Sequence, residues 1–251
     1  MAYKEITFYA LGSLNVLTIY DYDDARIDEI IDLIVERIRR IDIAVNQEAS
    51  NSEVSQINKY AGIKSIKVSF DTLQIIEKGR EYALKTNGLF DFLHTRRRLF
   101  LKAKTDPRDI VIDGYYVGLK KRGQTIDLRD LAKGYCADLT KSLLISEGIS
   151  EAVVRIDNRV VTLGKKKKIG IQDPFKKDQL LGLLEVEDQA VVTSTKDEQS
   201  ITLVTESALL GDIYTKIWDE GNSLETEDLV VFNDGRFYMS NRFRKMFIQE
   251  V

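Results

Sequence analysis

The chain has 251 residues, 43% hydrophobic and 31% charged, which supplies enough apolar material for a core without crosslinks and too little for a membrane-embedded protein. Lys and Arg number 37 against 40 Asp and Glu, a net charge of −3, so no global positive field favours nucleic acid or anionic lipid. A single cysteine, Cys136, and a single histidine, His94, exclude an internal disulfide and any zinc set built from several Cys and His, so a bound metal would be hard and oxygen-held.

The first residues do not read as an export signal. Lys4 is followed by Glu5, and the apolar stretch is broken by Gly12, Ser13, Asn15 and Thr18, so a cytoplasmic chain with no integral membrane segment is expected. Only two prolines, Pro107 and Pro174, occur and no linker is visible, which predicts one compact unit over residues 1–251. Residues 5–10 and 14–20 favour strands. After Asp23 and Asp24 as capping candidates, Ile27, Ile30, Ile31, Ile34, Ile38 and Ile41 mark one face of a long helix, with Arg37, Arg39 and Arg40 suiting its negative end. A second helix is predicted from Ser69, its cap, to about Lys85, with Gly88 as the stop. A third starts near Arg129 and ends before Gly148, with Leu131, Tyr135, Leu139 and Leu143 at helical spacing. Strands follow at 152–156, 160–163, 168–172, 181–186, 190–193 and 201–205, then a helix over about 207–218 and two strands flanking Asn233-Asp234-Gly235. Strands cluster with helices between the groups, so the expected class is α+β rather than a repeating βαβ wind.

No dinucleotide fingerprint or P-loop is present, and the lysine run between Gly164 and Gly170 reads as a solvated loop. Arg96, Arg97 and Arg98 read as a solvated charged face, and His94 has no nucleophile turn to serve. The segment TIDLRDLAKGYCAD, residues 125–138, stands out: a strand ending at Asp127 feeds a helix whose first turn carries Asp130 and Lys133. Two readings are open there. The N–H groups of a helix start and a lysine can bind phosphate, or the aspartates merely cap a strand-to-helix turn.

This segment resembles the I-D-L-G-G-I-A-K-G-Y-x-x-D signature of the FAD:protein FMN transferases, the ApbE family. In the same order, ALGSLNVLTIY (10–20), SEVSQINKYAG (52–62), GLFDF (88–92), IGIQDP (169–174) and VVTST (191–195) are similar to further family segments. The resemblance implies an ApbE-like α+β fold with two strand-rich halves. It also implies transfer of FMN from FAD to a Thr or Ser hydroxyl of an acceptor flavoprotein, with release of AMP and use of Mg2+. By position, Leu11, Asp91, Phe92, Leu93, Asp127 and Lys133 would contact the flavin nucleotide. Asp130, through its carbonyl, with Asp212 and Thr215 would hold the metal. No general base is implied by what remains. The pattern departs in places: the family's D-x-x-x-T is met by GDIYTK (211–216), with Lys216 at the fourth position; its H-I-I-D-P loop is missing after residue 195; and its glycines are filled by Arg129-Asp130 and Asp157-Asn158. A non-catalytic flavin-binding or protein-binding relative, and an FAD hydrolase yielding FMN and AMP, are therefore alternatives.

Overall fold

The computed structural model describes residues 3–20, 24–95, 105–176, 179–219, 227–232 and 234–248. In chain order the elements are β1 (Tyr3–Ala10), β2 (Ser13–Tyr20), α1 (Asp24–Val45), α2 (Glu53–Lys59), β3 (Ile66–Lys67), α3 (Phe70–Lys85), β4 (Leu93–Thr95), β5 (Ile110–Asp113), β6 (Tyr116–Leu119), β7 (Gln124–Ile126) and α4 (Arg129–Ser146). There follow β8 (Glu151–Ile156), β9 (Arg159–Leu163), β10 (Lys167–Gln172), β11 (Leu180–Val186), β12 (Ala190–Lys196), β13 (Gln199–Thr205), α5 (Ala208–Asp219), β14 (Glu227–Phe232), β15 (Phe237–Met239), α6 (Asn241–Met246) and β16 (Phe247–Ile248). The α+β class expected from the sequence is the one observed.

Contacts divide the chain into two compact units, residues 1–35 with 133–251, and residues 36–132, the divisions falling inside α1 and α4. The first unit is built on an eight-stranded antiparallel sheet in the order β1-β2-β8-β9-β12-β13-β14-β15. A three-stranded sheet, β10-β11-β16, covers one face, where Val160, Val191, Val204, Leu229 and Val231 pack with Ile169, Leu184 and Phe243. On the other face Ile201, Leu203 and Val230 pack against Tyr214 and Trp218 of α5. Period-2 alternation sends successive residues of β13 and β14 to these two layers, which is why Leu203 and Val204, and Leu229, Val230 and Val231, are consecutive buried apolar residues.

In the second unit β3, β6 and β5 form a three-stranded sheet and β4 pairs with β7. Its helices bury Ile38, Ile41 and Val45 of α1, Val54 and Ile57 of α2, and Ile75, Ile76 and Ala83 of α3. Gly79 is required by close approach: a Cβ there would lie 2.7 Å from Cε1 of Phe92.

Several local expectations change. The isoleucine helix runs on to Val45, so Arg37, Arg39 and Arg40 lie upstream of its last turn, which holds no basic residue; Arg37 pairs instead with Asp71 at 2.8 Å. Ser69 stands at the cap position of α3, but its side chain makes no capping bond; its N–H and hydroxyl both donate to Glu53. Gly88, with φ 81°, closes that helix end by donating its N–H to Ala83 O at 2.9 Å. The lysine run is only in part a loop: Lys167 opens β10, and its ammonium lies against the buried Glu151 carboxylate and over the Tyr20 ring. Asp23, the side chain of Asp24, Arg96 to Arg98 and Asn233 lie outside the described residues.

Candidate active site

In the second unit β7 ends at Ile126 and α4 begins at Arg129, so the strand-to-helix turn is Asp127-Leu128. The turn forms because Asp127 Oδ1 accepts from Arg129 N at 3.1 Å, occupying a donor with no partner inside the helix. Its backbone N–H donates to Phe92 O at 3.2 Å, and Leu93 stands opposite Ile126 in the β4–β7 ladder. The structure thus brings together Asp91, Phe92, Leu93 and Asp127, four of the residues drawn from the resemblance. Phe92 and Leu93 turn buried side chains into the unit. Asp91 accepts from Leu93 N at 2.8 Å and from the Thr105 hydroxyl. Asp130 is exposed in the first turn of α4, where a carboxylate complements the positive end of the helix dipole.

Arg129, at a position the signature gives to glycine, folds its guanidinium back onto Asp127, with Nη2 to Oδ2 at 2.7 Å; Gln47 donates to the same oxygen at 3.2 Å. The flavin-contacting aspartate of the signature is therefore already answered by a cation of its own chain.

In the first unit, three features meet at one end of the large sheet. The β1–β2 hairpin turns on Leu11 and Gly12, both left-handed with φ 56° and 72°, as a two-residue turn of the type that matches strand twist requires. A leucine at such an angle is uncommon, and its side chain is buried. Asn15 braces the turn, donating to Ala10 O at 3.0 Å and accepting from Asp157 N at 3.1 Å. Asp157, φ 56°, and Asn158 make the β8–β9 turn, and Asn158 O accepts from Thr193 N of β12 at 3.2 Å. The segments 169–174 and 191–195 line one cavity of about 590 Å³ with Arg155 and Asn158. β12 passes directly into β13 through Asp197-Glu198, with Lys196 paired to Gln199.

Lys133 is the fifth residue of α4, just beyond the first turn in which the sequence placed it. Its ammonium pairs with Asp157 at 2.7 Å, and Asp157 also accepts from Arg159 Nη1 at 3.1 Å. Arg159 Nε in turn meets Asp212 Oδ1 at 2.7 Å. Asp212 and Thr215 share a buried face of α5, and the Thr215 hydroxyl donates to Asp212 O at 3.0 Å. Two further residues of the signature position this helix. Asp138 accepts from the N–H groups of Ala208 and Leu209 at 2.8 and 3.0 Å, capping α5 from α4, and burial pushes its carboxyl up to about 6. Gly134 admits α5, since a Cβ there would lie 2.3 Å from Asp212 Oδ2 and 2.8 Å from Leu209 Cα.

Sequence reasoning missed Arg159, the capping role of Asp138 and the brace Asn15. A signal for Arg159 was present, a charge opening the strand RVVTL, all of which is buried. Among the described residues no group of three or more His, Cys, Asp or Glu is placed to hold a metal ion, and the Asp212 carboxylate is bonded to a guanidinium. A guanidinium thus occupies Oδ1 of the carboxylate expected to ligate Mg2+.

The ApbE family model matches residues 11–223. An FAD:protein FMN transferase of Klebsiella pneumoniae (strain 342) is 26% identical over 257 residues, covering 82% of this chain and 79% of that protein. The crystal structure of an ApbE protein from Thermotoga maritima superposes with a TM-score of 0.80 at 20% identity, over 99% of this chain and all of that one. The apo Pseudomonas stutzeri flavinyl transferase ApbE gives 0.82 at 15% identity, covering 100% of this chain and 98% of that one. These likenesses establish the shared fold, and with the family match over most of its length the chain belongs to the ApbE family.

Proposed function

We propose that the chain is an FAD:protein FMN transferase, moving FMN from FAD onto a Thr or Ser hydroxyl of an acceptor flavoprotein. The hydroxyl oxygen bonds to the flavin-side phosphorus, the diphosphate bridge breaks, and AMP leaves with the bridging oxygen; the hydroxyl proton passes to an acceptor not identified among these residues. The observation that carries the reading is the 125–138 segment, folded as strand, turn and helix with Lys133 at 19% exposure on the helix. Its ammonium supplies positive charge for a diphosphate. A cytoplasmic location agrees with Cys136 being a buried free thiol. Among the described residues no helix is long and apolar enough to cross a membrane.

A second reading, a flavin-nucleotide-binding relative without transfer activity, is favoured by one observation: Arg129 and Asp157, both at glycine positions of the family pattern, engage the signature's Asp127 and Lys133. Incubation with FAD and a flavoprotein domain bearing an acceptor Thr separates the readings. Transfer yields covalently bound flavin and AMP in equal amounts. FAD binding with neither product supports the second reading, and AMP without attached flavin indicates hydrolysis.

A further inference from the structure

Asp212 has a partner that the D-x-x-x-T pattern does not foresee. Arg159 opens β9 with its side chain 8% exposed, and Asp212 on α5 is 2% exposed; Nε and Oδ1 are 2.7 Å apart. The same guanidinium donates to Asp157 Oδ2 at 3.1 Å and to the Asn158 side-chain oxygen. Asp157 also takes the Lys133 ammonium at 2.7 Å. Lys133, Asp157, Arg159 and Asp212 thus form a continuous run of ion pairs.

A guanidinium cannot discharge by losing a proton in the physiological range, and its planar fork is held here at Nε and Nη1. A divalent cation approaching Asp212 would meet that fixed positive charge on the same carboxylate, in surroundings where water screens little. Mg2+ also sheds its hydration reluctantly and needs several oxygen ligands in octahedral array, which a carboxylate already bonded to arginine does not offer.

We propose that Arg159 stands in this chain where a divalent cation would stand beside Asp212. It is the permanent counter-charge of that aspartate, and the flavin diphosphate is received by a metal-free cationic pair, Arg159 and Lys133. The second half of this proposal rests on the flavin-nucleotide reading above; the first half does not.

Two measurements on the full-length chain test it. Titration with Mn2+ alone, followed by electron paramagnetic resonance, shows no tight binding to the wild type up to about 1 mM, well above the ion's use as a Mg2+ surrogate. Mn2+ binding by the wild type that Asp212→Asn abolishes overturns the proposal, and this comparison needs no arginine variant to fold. FAD affinity, read from flavin fluorescence, agrees within about twofold in EDTA and in excess Mg2+, whereas Arg159→Gln, shown to be folded by its melting curve, binds FAD about tenfold more weakly in EDTA. A tenfold loss of wild-type affinity on adding EDTA, or unchanged affinity in a folded Arg159→Gln, overturns it. Failure of the wild type to bind FAD in either buffer removes the flavin reading and the diphosphate half of the proposal, while the Mn2+ titration still decides what neutralises Asp212.

Discussion

A side chain at a family glycine position sets the charge around Lys133. Asp157 holds φ 56°, an angle glycine adopts without cost, and spends its carboxylate on Lys133 and Arg159. Removing either member of the Lys133–Asp157 pair should therefore move FAD binding in opposite directions. Lys133→Ala weakens FAD by about 1.5–3 kcal/mol, the range for hydrogen bonds to charged groups, and leaves riboflavin, which has no phosphate, unchanged. Asp157→Gly frees the ammonium and tightens FAD several-fold. Calorimetric titration with both ligands checks the pair, and equal FAD affinities in all three proteins would remove Lys133 from the site. Gly134 acts through space alone. With Leu209 backbone and the Asp212 carboxylate in the way of any Cβ, Gly134→Ala forces α4 and α5 apart and costs about 1–3 kcal/mol in urea unfolding. From the sequence, glycine in A-K-G-Y could be matched to the family signature, but what it admits is a helix more than seventy residues further along the chain, as the Asp138–Leu209 bond measures with its separation of 71.

Among the elements, α5 depends most on a partner. Its first N–H groups are satisfied by Asp138 of α4, so Asp138→Ala strips a helix cap and costs about 1–2 kcal/mol. Burial raises the folded carboxyl to about 6 from the ordinary 3.8, which means the folded chain holds this proton more tightly than the unfolded one. Its contribution to stability is fully present below pH 3.8 and is lost as pH rises through about 6. Urea unfolding at a series of pH values should show this fall against the sum of other titrations, and Asp138→Asn should remove it; an identical pH slope in wild type and variant would show that Asp138 does not titrate in this window. The long helices were legible because Ile27 to Ile41, Leu131 to Leu143 and the α5 residues recur every three or four positions. The short helix α2, seven residues capped by Ser52, was not, because fewer than two turns of periodicity cannot be told from a loop with an apolar residue. The strands β3 to β6, two to four residues each, escaped for the same reason, whereas β7 was legible as the strand that feeds α4.

For the whole molecule, FAD that binds only the folded state must raise its stability. At FAD one hundred times its dissociation constant the gain is about 2.7 kcal/mol, equivalent to a rise of about 5–10 °C in melting temperature for a chain of this size. A thermal-shift series with FAD and riboflavin reads this directly, and no FAD-specific rise at saturating nucleotide would contradict the proposed function. The sequence by itself determined the α+β class, the principal helices, the order of the family segments, and the placing of Asp212 and Thr215 on one face of α5, since each of these follows from local periodicity or from a contiguous motif. Only the tertiary structure decided the strand order of the large sheet and which charges neutralise one another. Lys133 meets Asp157 across 24 residues, and Arg159 meets Asp212 across 53. Such pairs form through space, where strands and helices from distant parts of the chain are packed side by side, and no spacing along the sequence encodes them.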